Sequence, residues 1–166
     1  MTKNTAADYF RRYLKVAPLS HALWRAVEAQ ELAKYKLKKP ILDLGCGFGE
    51  FAGVFFSSQI EVGVDIDYKE ILKAATTGKY KKTIVADAHK LPFSDNSFET
   101  VISTQVFEHV DNPFSVVSEI KKVLKPGGYA IITAPFMIPF HPDPKDNFRF
   151  SREGLEEIFK SSGFEI

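Results

Sequence analysis

Cysteine and net charge are both scarce in this chain of 166 residues. Its single cysteine, Cys46, excludes an internal disulfide and any metal site built from several cysteines. Lys and Arg number 22 against 21 Asp and Glu, and the resulting charge of +1 provides no overall field that would attract nucleic acid. No groove that combines aromatic and basic residues is evident either. These scarcities favour a reducing compartment and a partner other than nucleic acid.

Long apolar runs are missing as well. The N-terminus, MTKNTAADYFRRYL, lacks the apolar segment of a signal peptide. The most apolar late run, residues 129–140, contains Pro135 and Pro139 and is too short to span a bilayer. We therefore expect a cytoplasmic protein with no membrane span. The length predicts one domain, with an N-terminal helical segment at 1–38 and an α/β core at 39–166.

The core alternates apolar runs with helical patterns. The apolar runs predict five strands, at 41–44, 61–66, 83–86, 100–104 and 129–133. The helical patterns between and after them lie at 50–57, 69–76, 112–125 and 151–161, with Asn112 and Ser151 as N-caps. Strands that are uniformly apolar indicate a parallel sheet covered on both faces. Right-handed crossovers then give a doubly wound α/β fold, which binds its ligand at the carboxyl ends of the strands.

Two further helices are predicted before the first strand, between residues 5 and 36. Pro18 interrupts the pattern, and Ser20 is a plausible N-cap of the second helix. These helices could be a packing layer or a lid over a ligand, and the sequence favours packing. At the other end, residues 164–166 predict the start of a sixth strand.

The stretch ILDLGCGFGEFA, residues 41–52, organises the core. Asp43 ends the first strand, and Gly45, Gly47 and Gly49 follow at alternate positions before a helix. Glycine takes positive φ readily and lets a ligand lie against bare backbone. The alternative interpretation is a tight turn in an ordinary α/β protein.

Polar residues follow every predicted strand. Asp65 lies about 20 residues beyond the first glycine, where an acid can accept hydrogen bonds from both hydroxyls of a ribose. The third strand is followed by Asp87-Ala88, the fourth by residues 105–109 and the fifth by the loop 135–149. Since parallel strands end at one rim, this pattern predicts a site for a nucleotide-like ligand.

The glycine pattern distinguishes between ligands. Counted from Gly45, the last glycine of a dinucleotide fingerprint is replaced by Glu50, which disfavours a nicotinamide-dependent oxidoreductase. The observed pattern resembles the signature of the class I S-adenosylmethionine-dependent methyltransferases of the type 11-like group. That signature is an acid followed by three glycines at alternate positions, which Asp43, Gly45, Gly47 and Gly49 match. Four later segments resemble successive blocks of that family: VGVDID, VADAHKLPFSDNSFETVIS, FEHVDNP and KVLKPGGYAIITAPF. The resemblance implies a Rossmann-like methyltransferase, with S-adenosylmethionine as cofactor and S-adenosylhomocysteine as product.

The resemblance also implies a role for each matching residue. The methionine moiety would contact Asp43, Gly45, Cys46, Gly47 and Gly49. Asp65 would bind the ribose, Ile66 the adenine face, and Asp87 with Ala88 the adenine edge, while Gln105 would face the methionine portion or the acceptor. Asp87 could instead cap a turn, and a nucleophilic role for Cys46 is disfavoured because the family uses a small side chain there.

The acceptor is predicted from the segment FHPDPKDNFRFS, residues 140–151. It resembles a loop in methyltransferases of glycan and cell-envelope synthesis, which implies a small-molecule acceptor that is a sugar or is lipid-linked. His141 is the candidate base, and His109, His141, Asp146 and Arg149 are candidate acceptor-binding residues, with Asp143 beside them. Alternatively, Asp146 and Arg149 pair to brace the loop, and His109 only packs into it. No metal site is predicted.

The family's sheet normally continues through a sixth and a seventh strand, whereas this sequence ends three residues into the sixth. The fifth strand would then be an unpaired edge, which proteins usually cover. Either the sequence is a truncated product, or a partner chain or the N-terminal helices cover this edge, and we expect a homodimer through that side. The same departure leaves a second hypothesis open, a module that binds S-adenosylmethionine without turning it over.

Overall fold

The computed structural model describes residues 4–141 and 145–166 and contains one parallel sheet of five strands. The strands are β1 (Ile41–Leu44), β2 (Ile60–Asp65), β3 (Tyr80–Val85), β4 (Phe98–Thr104) and β5 (Leu124–Thr133), in the spatial order β3-β2-β1-β4-β5. The helices are α1 (Ala6–Tyr13), α2 (Leu19–Leu32), α3 (Glu50–Phe55), α4 (Tyr68–Thr76), α5 (Pro113–Val123) and α6 (Arg152–Ser161). The predicted doubly wound α/β fold is confirmed.

The register of the parallel strands aligns their carboxyl ends. Asp43 pairs with Gly63, and Asp65 pairs with Val85. On the other side of β1, Thr104 at the end of β4 pairs with Thr133 at the end of β5. Because all strands point the same way, the turns that follow them meet at one edge of the sheet.

Both faces of the sheet are covered at its centre, where β1 and β4 are buried along almost their whole length. Val101 packs with Val116 and Ile120 of α5 on one face. Its neighbour in β4, Ile102, packs with Phe51 of α3 on the other face. Successive side chains of a strand point to opposite faces, so both must be apolar when helices cover both sides.

Side chains cap the N-termini of α1, α5 and α6. Asn112 accepts a hydrogen bond from Ser115 N at 3.2 Å, and Ser151 accepts one from Gly154 N at 3.0 Å, as predicted. Thr5 forms a capping box with Asp8 at the start of α1.

The start of α2 differs from the sequence prediction. Ser20 was predicted as its N-cap, and this prediction was wrong. The helix begins at Leu19 after Pro18, whose extended backbone already ends the preceding turn, so Ser20 lies inside the first turn.

Most other element boundaries shift by one to three residues, and the prediction fails further at the start of β5 and at the C-terminus. β5 begins at Leu124, not Tyr129, because Leu124 pairs with Phe98 and the residues before Tyr129 form an irregularity in the ladder. Residues 164–166 form no strand. Instead, Phe164 N donates to Phe159 O at 3.2 Å and its ring packs against Phe159, with 5.3 Å between centroids.

Gly45→Ala should destabilise the fold more than a glycine substitution in open space. A Cβ at Gly45 would lie 2.2 Å from Val106 Cγ2, and the backbone has φ +74°. We expect the free energy of unfolding, measured by urea denaturation, to fall by about 2 to 5 kcal/mol. The control Gly78→Ala has φ +66° with no atom within 4 Å and should cost only about 1 to 2 kcal/mol. Equal losses would contradict the packing at Gly45.

Candidate active site

A cavity of about 390 Å³ opens at the carboxyl ends of the strands. Its walls come from the glycine loop, the ends of β1 and β4, helix α2 and the loop after β5. Seven of the residues predicted for the site line it: Asp43, Gly45, Cys46, Gly47, Gln105, His109 and His141. Four predicted residues lie outside this cavity on the continuation of the same edge: Asp65 ends β2, Ile66 follows it, and Asp87 and Ala88 follow β3.

The glycine loop has the backbone that the sequence predicts. Gly45, Gly47 and Gly49 have φ values of +74°, +50° and +83°. The N–H groups of Gly45 and Cys46 both donate to Val64 O, at 2.7 and 2.9 Å, which fixes the loop to β2. A Cβ at Gly47 would meet no atom within 4 Å, so the space beside this residue is open to a ligand.

Asp43 is a buried carboxylate at the end of β1. It is 1% exposed, and Tyr80 Oη donates to its Oδ2 at 2.7 Å. Burial raises the pKa of Asp43 to about 6, although the hydrogen bond from Tyr80 opposes this rise. Sequence reasoning missed Tyr80, because nothing in the pattern of β3 indicates that its first side chain reaches β1.

Asp65 connects β2 to the glycine loop. Its Oδ2 accepts a hydrogen bond from Gly47 N at 2.8 Å, and its Oδ1 accepts one from Asp67 N at 3.0 Å. Each carboxylate oxygen can accept a second hydrogen bond, so Asp65 can hold the loop and also receive hydroxyl donors. Ile66 beside it is 69% exposed and offers apolar surface.

Asp87 caps the turn after β3, as the alternative interpretation proposed. Its Oδ1 accepts from His89 N at 2.9 Å and lies 2.6 Å from His89 Nδ1. The hydrogen bond from the His89 backbone lowers the pKa of Asp87. Among the residues described, nothing bonds to Oδ2, so the cap leaves this oxygen for a ligand beside half-buried Ala88.

A polar network from α2 covers the cavity. Gln105, at φ +58°, donates through Nε2 to Glu28 Oε1 at 2.9 Å and to Thr133 Oγ1 at 3.2 Å. Glu28 also bonds to Arg25. Helix α2 therefore covers the site as well as packing on the core, which corrects the preference for packing alone.

Arg25 is a second residue that sequence reasoning missed. It lines the cavity and is 6% exposed, and the rings of Tyr13, Trp24 and Phe51 surround its guanidinium at 5.5 to 5.8 Å. Its Nε has no hydrogen-bond acceptor among the described residues, and Glu50 Oε1 lies 3.8 Å away. Helix α2 does not separate clearly into an apolar and a polar face, so its sequence does not show that Arg25 is buried.

The loop after β5 forms the opposite wall. His109 Nδ1 lies 2.6 Å from Lys145 O, and the His109 and His141 rings pack edge to face with 5.2 Å between centroids. The predicted ion pair is present, with Arg149 Nη2 donating to Asp146 Oδ2 at 2.6 Å, and it holds the pKa of Asp146 well below its usual range. Asp146 also accepts from His141 N at 3.1 Å. Asp143 lies outside the described residues.

Cys46 lies in the cavity wall as a small buried side chain. It is 6% exposed, and burial raises the pKa of its thiol. A thiol with a raised pKa is a poor nucleophile. The geometry therefore agrees with the sequence prediction that Cys46 is not a nucleophile.

The fold and the site together are those of a class I S-adenosylmethionine-dependent methyltransferase. A family model described as a methyltransferase domain matches residues 42–132, more than half of the chain, and the chain belongs to that family. The family predicted from the sequence is thus confirmed, and S-adenosylmethionine is the cofactor of the class.

Similar proteins support this assignment. A probable S-adenosylmethionine-dependent methyltransferase of Mycolicibacterium smegmatis is 29% identical over 82% of this chain and 56% of its own. An uncharacterized protein of Methanocaldococcus jannaschii is 32% identical over 97% of this chain and 81% of its own. The structure of a methyltransferase from Thermotoga maritima, 23% identical, has the same fold with a TM-score of 0.77, over 97% of this chain and 81% of that one. The chain spans about half the length of the mycobacterial relatives it matches.

None of the helices in residues 4–141 and 145–166 combines the length and the apolar character needed to cross a bilayer.

Binding of S-adenosylmethionine should depend on the ionisation of Asp43. With a pKa of about 6, most Asp43 is protonated at pH 5, and we expect affinity there to be about tenfold weaker than at pH 7.5. Tyr80→Phe removes a hydrogen bond that stabilises the carboxylate, so the loss of affinity should begin at higher pH. Calorimetric titration across this pH range measures both effects.

The stability of the fold should decrease with rising pH, whereas the affinity for S-adenosylmethionine increases. The pKa of Asp43 is higher in the folded chain than its ordinary value of 3.8, so its ionisation lowers the free energy of unfolding as pH rises from 3.8 to about 6. A gain in affinity over that range therefore cannot come from a more stable fold. The same pH profile in Asp43→Asn would contradict the assignment.

Proposed function

We propose that this chain transfers the methyl group of S-adenosylmethionine to a small acceptor molecule. The observation that carries the proposal is the charge of the cavity, whose wall contains the carboxylates of Asp43, Glu50 and Glu108 against the single guanidinium of Arg25. S-adenosylmethionine presents a sulfonium and an ammonium, and this excess of carboxylates attracts such a cation. A dinucleotide carries an anionic pyrophosphate, which the same wall would repel.

The residues around the cavity fit the parts of the cofactor. Asp43 would bind the ammonium and Arg25 the carboxylate of the methionine portion, beside the open backbone of Gly47. Asp65 would accept from the ribose hydroxyls. Ile66 would pack on the adenine, and the unoccupied Oδ2 of Asp87 with the backbone of Ala88 would bind its edge.

The protein's contribution to the chemistry is alignment and exclusion of water. S-adenosylmethionine supplies an activated methyl group, and positive charge on sulfur disappears during an in-line displacement. Helix α2 and the loop after β5 cover the two sides of the cavity in which donor and acceptor would meet. Residues of that loop select the acceptor in this proposal, with His141 as the base if the acceptor is a hydroxyl.

The acceptor class is proposed from the loop sequence. Residues 140–151 resemble those of methyltransferases of glycan and cell-envelope synthesis, which favours a sugar or a lipid-linked acceptor. The Asp146–Arg149 pair braces this loop and His109 and His141 line the cavity, which supports these two histidines as the proposed contacts to the acceptor. We further propose that the chain acts as one methyltransferase domain in the cytoplasm.

Calorimetric titration with S-adenosylmethionine, S-adenosylhomocysteine and NAD tests the cofactor assignment. We expect the first two to bind and NAD not to bind. Asp65→Ala should weaken binding by about 10- to 100-fold, because it removes a charged hydrogen-bond acceptor for the ribose.

Asp67→Ala is the matched control. Asp67 caps α4 through Lys69 N at 2.6 Å, so its loss affects the helix while the ribose acceptor remains. Equal losses in the two variants would show that the effect of Asp65→Ala is indirect. Binding of NAD in place of the other two ligands would overturn the proposal.

Turnover separates the enzyme from the alternative function. A methyltransferase forms S-adenosylhomocysteine when the correct acceptor is added, whereas a module that only binds S-adenosylmethionine forms none with any acceptor. An acceptor screen that begins with sugars and lipid-linked sugars follows from the loop resemblance.

We also propose that two copies associate through β5. This strand ends the spatial order of the sheet, and on its outer side no strand pairs with it among the described residues. An open edge presents unpaired N–H and C=O groups to another chain. Light scattering during size-exclusion chromatography should show a mass that rises with concentration toward two chains, and one chain at all concentrations would contradict the proposal.

A further inference from the structure

Three side chains that can bind a metal ion meet at one end of the cavity. Glu108 and His109 follow β4, and His141 lies in the loop after β5. One donor atom from each lies within 4.8 Å of the other two. The fold therefore brings together a carboxylate and two imidazoles from segments about 30 residues apart, a convergence that neither segment shows by itself.

Glu108 is the unusual member of this cluster. Its side chain is 1% exposed, and its Oε2 is enclosed without a hydrogen-bond partner among the described residues. The nearest imidazole nitrogen recorded for it is His109 Nε2, 3.9 Å from Oε1. A carboxylate removed from water is costly unless a cation or hydrogen-bond donors compensate it. Within the described residues, no group donates a hydrogen bond to Oε2, so this oxygen is available to a cation.

Both imidazoles are oriented as they are in metal sites. His109 Nδ1 lies 2.6 Å from Lys145 O, and since a carbonyl only accepts hydrogen bonds, Nδ1 carries the proton. His141 Nδ1 faces Pro139 O at 3.2 Å and Asp146 Oδ2 at 3.4 Å, which also favours a proton on Nδ1. The lone pair of each ring is then on Nε2, and hydrogen bonds of this kind orient metal-binding histidines.

Backbone contacts hold the two segments together. Asn147 N donates to Glu108 O at 2.7 Å, and Asn147 Nδ2 donates to His109 O at 3.0 Å. The Asp146–Arg149 ion pair and the bond from His141 N to Asp146 fix the other end. The cluster is therefore supported by a frame that does not depend on the metal.

We propose that Glu108, His109 and His141 bind one divalent transition-metal ion. Two imidazoles and one carboxylate suit Zn²⁺ and its neighbours, whereas Mg²⁺ prefers oxygen ligands. Donors placed tetrahedrally about 2.1 Å from such an ion are roughly 3.4 Å apart. The three side chains would therefore close by a small distance on binding, and a position facing the cavity would stay open.

The open position specifies a class of acceptor, and this step rests on the proposed methyl transfer. A bound ion lowers the pKa of a hydroxyl that it contacts, so the acceptor loses its proton to water, and His141 then acts as a metal ligand in place of the base. The oxygen then attacks the methyl carbon, and the C–S bond breaks with its electron pair remaining on sulfur. The products are a methyl ether and S-adenosylhomocysteine, which makes the acceptor an alcohol or a phenol.

Metal binding is measured on the full chain after treatment with a chelator and removal of the chelator. We expect calorimetry to show one Zn²⁺ or Co²⁺ per chain, and Co²⁺ to give the visible absorption of a low-coordinate site. Mg²⁺ should not compete. Glu108→Gln and His141→Asn should each weaken Co²⁺ binding by at least about 10- to 100-fold. His89→Asn should leave it unchanged, because His89 lies beside Asp87 outside the cluster.

The urea unfolding of Glu108→Gln without metal distinguishes a metal-binding role of Glu108 from a purely structural one. Glu108→Gln replaces a buried carboxyl group with a neutral amide of similar size, so the metal-free variant should unfold at a urea concentration no lower than that of the metal-free wild type, although it binds Co²⁺ more weakly. A structural role predicts a lower midpoint. S-adenosylmethionine is also titrated into the metal-free wild type, where binding should be retained, so failure of the metal proposal is distinguishable from failure of the cofactor assignment.

Three results would overturn the proposal. The first is the absence of stoichiometric Zn²⁺ or Co²⁺ binding by the folded wild type. The second is binding that Glu108→Gln leaves unchanged, and the third is a lower urea midpoint for that variant without metal.

Discussion

Asp43 is a carboxylate buried near the end of the central strand. The site around it is organised by the groups that stabilise its negative charge. Within the residues described, the hydroxyl of Tyr80 is the only side-chain donor to it, and burial keeps its pKa near 6. Such a group favours a cationic ligand, because a positive charge beside it offsets the free energy that the carboxylate loses on leaving water. The same ring of Tyr80 lies against Gly63 and Gly49, where a Cβ would come within 2.8 and 3.2 Å, so these glycines are needed for the tyrosine to reach the aspartate.

Because the strands are parallel and in register, the residues at their carboxyl ends lie beside Asp43 and form the rest of the site. Asp65 holds the glycine loop through Gly47 N, and Gln105 at the end of β4 joins the network of Glu28 and Thr133. Helix α2 thereby becomes a wall of the cavity while its other face packs on α1. Glycine-loop backbone and the carboxylate of Asp43 line one side of the cavity, and His109 and His141, from the segments after β4 and β5, line another.

Local rules were enough to predict much of the fold from sequence. β1 was predicted at its observed bounds, and the positive φ values of Gly45, Gly47 and Gly49 follow from residue type and spacing. What could not be predicted depends on contacts between distant residues. Tyr80 and Asp43 are 37 positions apart, and Gln105 and Glu28 are 77 apart, so no periodicity reveals either contact. Glu108 Oε2, which no described residue bonds, is likewise a property of packing, because the local sequence FEHV does not show whether a donor faces the acid.

The most direct test of the cofactor site is a crystal structure of the chain with S-adenosylhomocysteine. We predict the amino group of the ligand beside Asp43, its ribose hydroxyls on Asp65 and its adenine between Ile66 and Asp87, with the sulfur facing the end of the cavity formed by Gln105 and the histidines. A ligand bound in the groove lined by Arg12, Lys15 and Val16, or with its ribose away from Asp65, would contradict the assignment of the strand ends as the cofactor site.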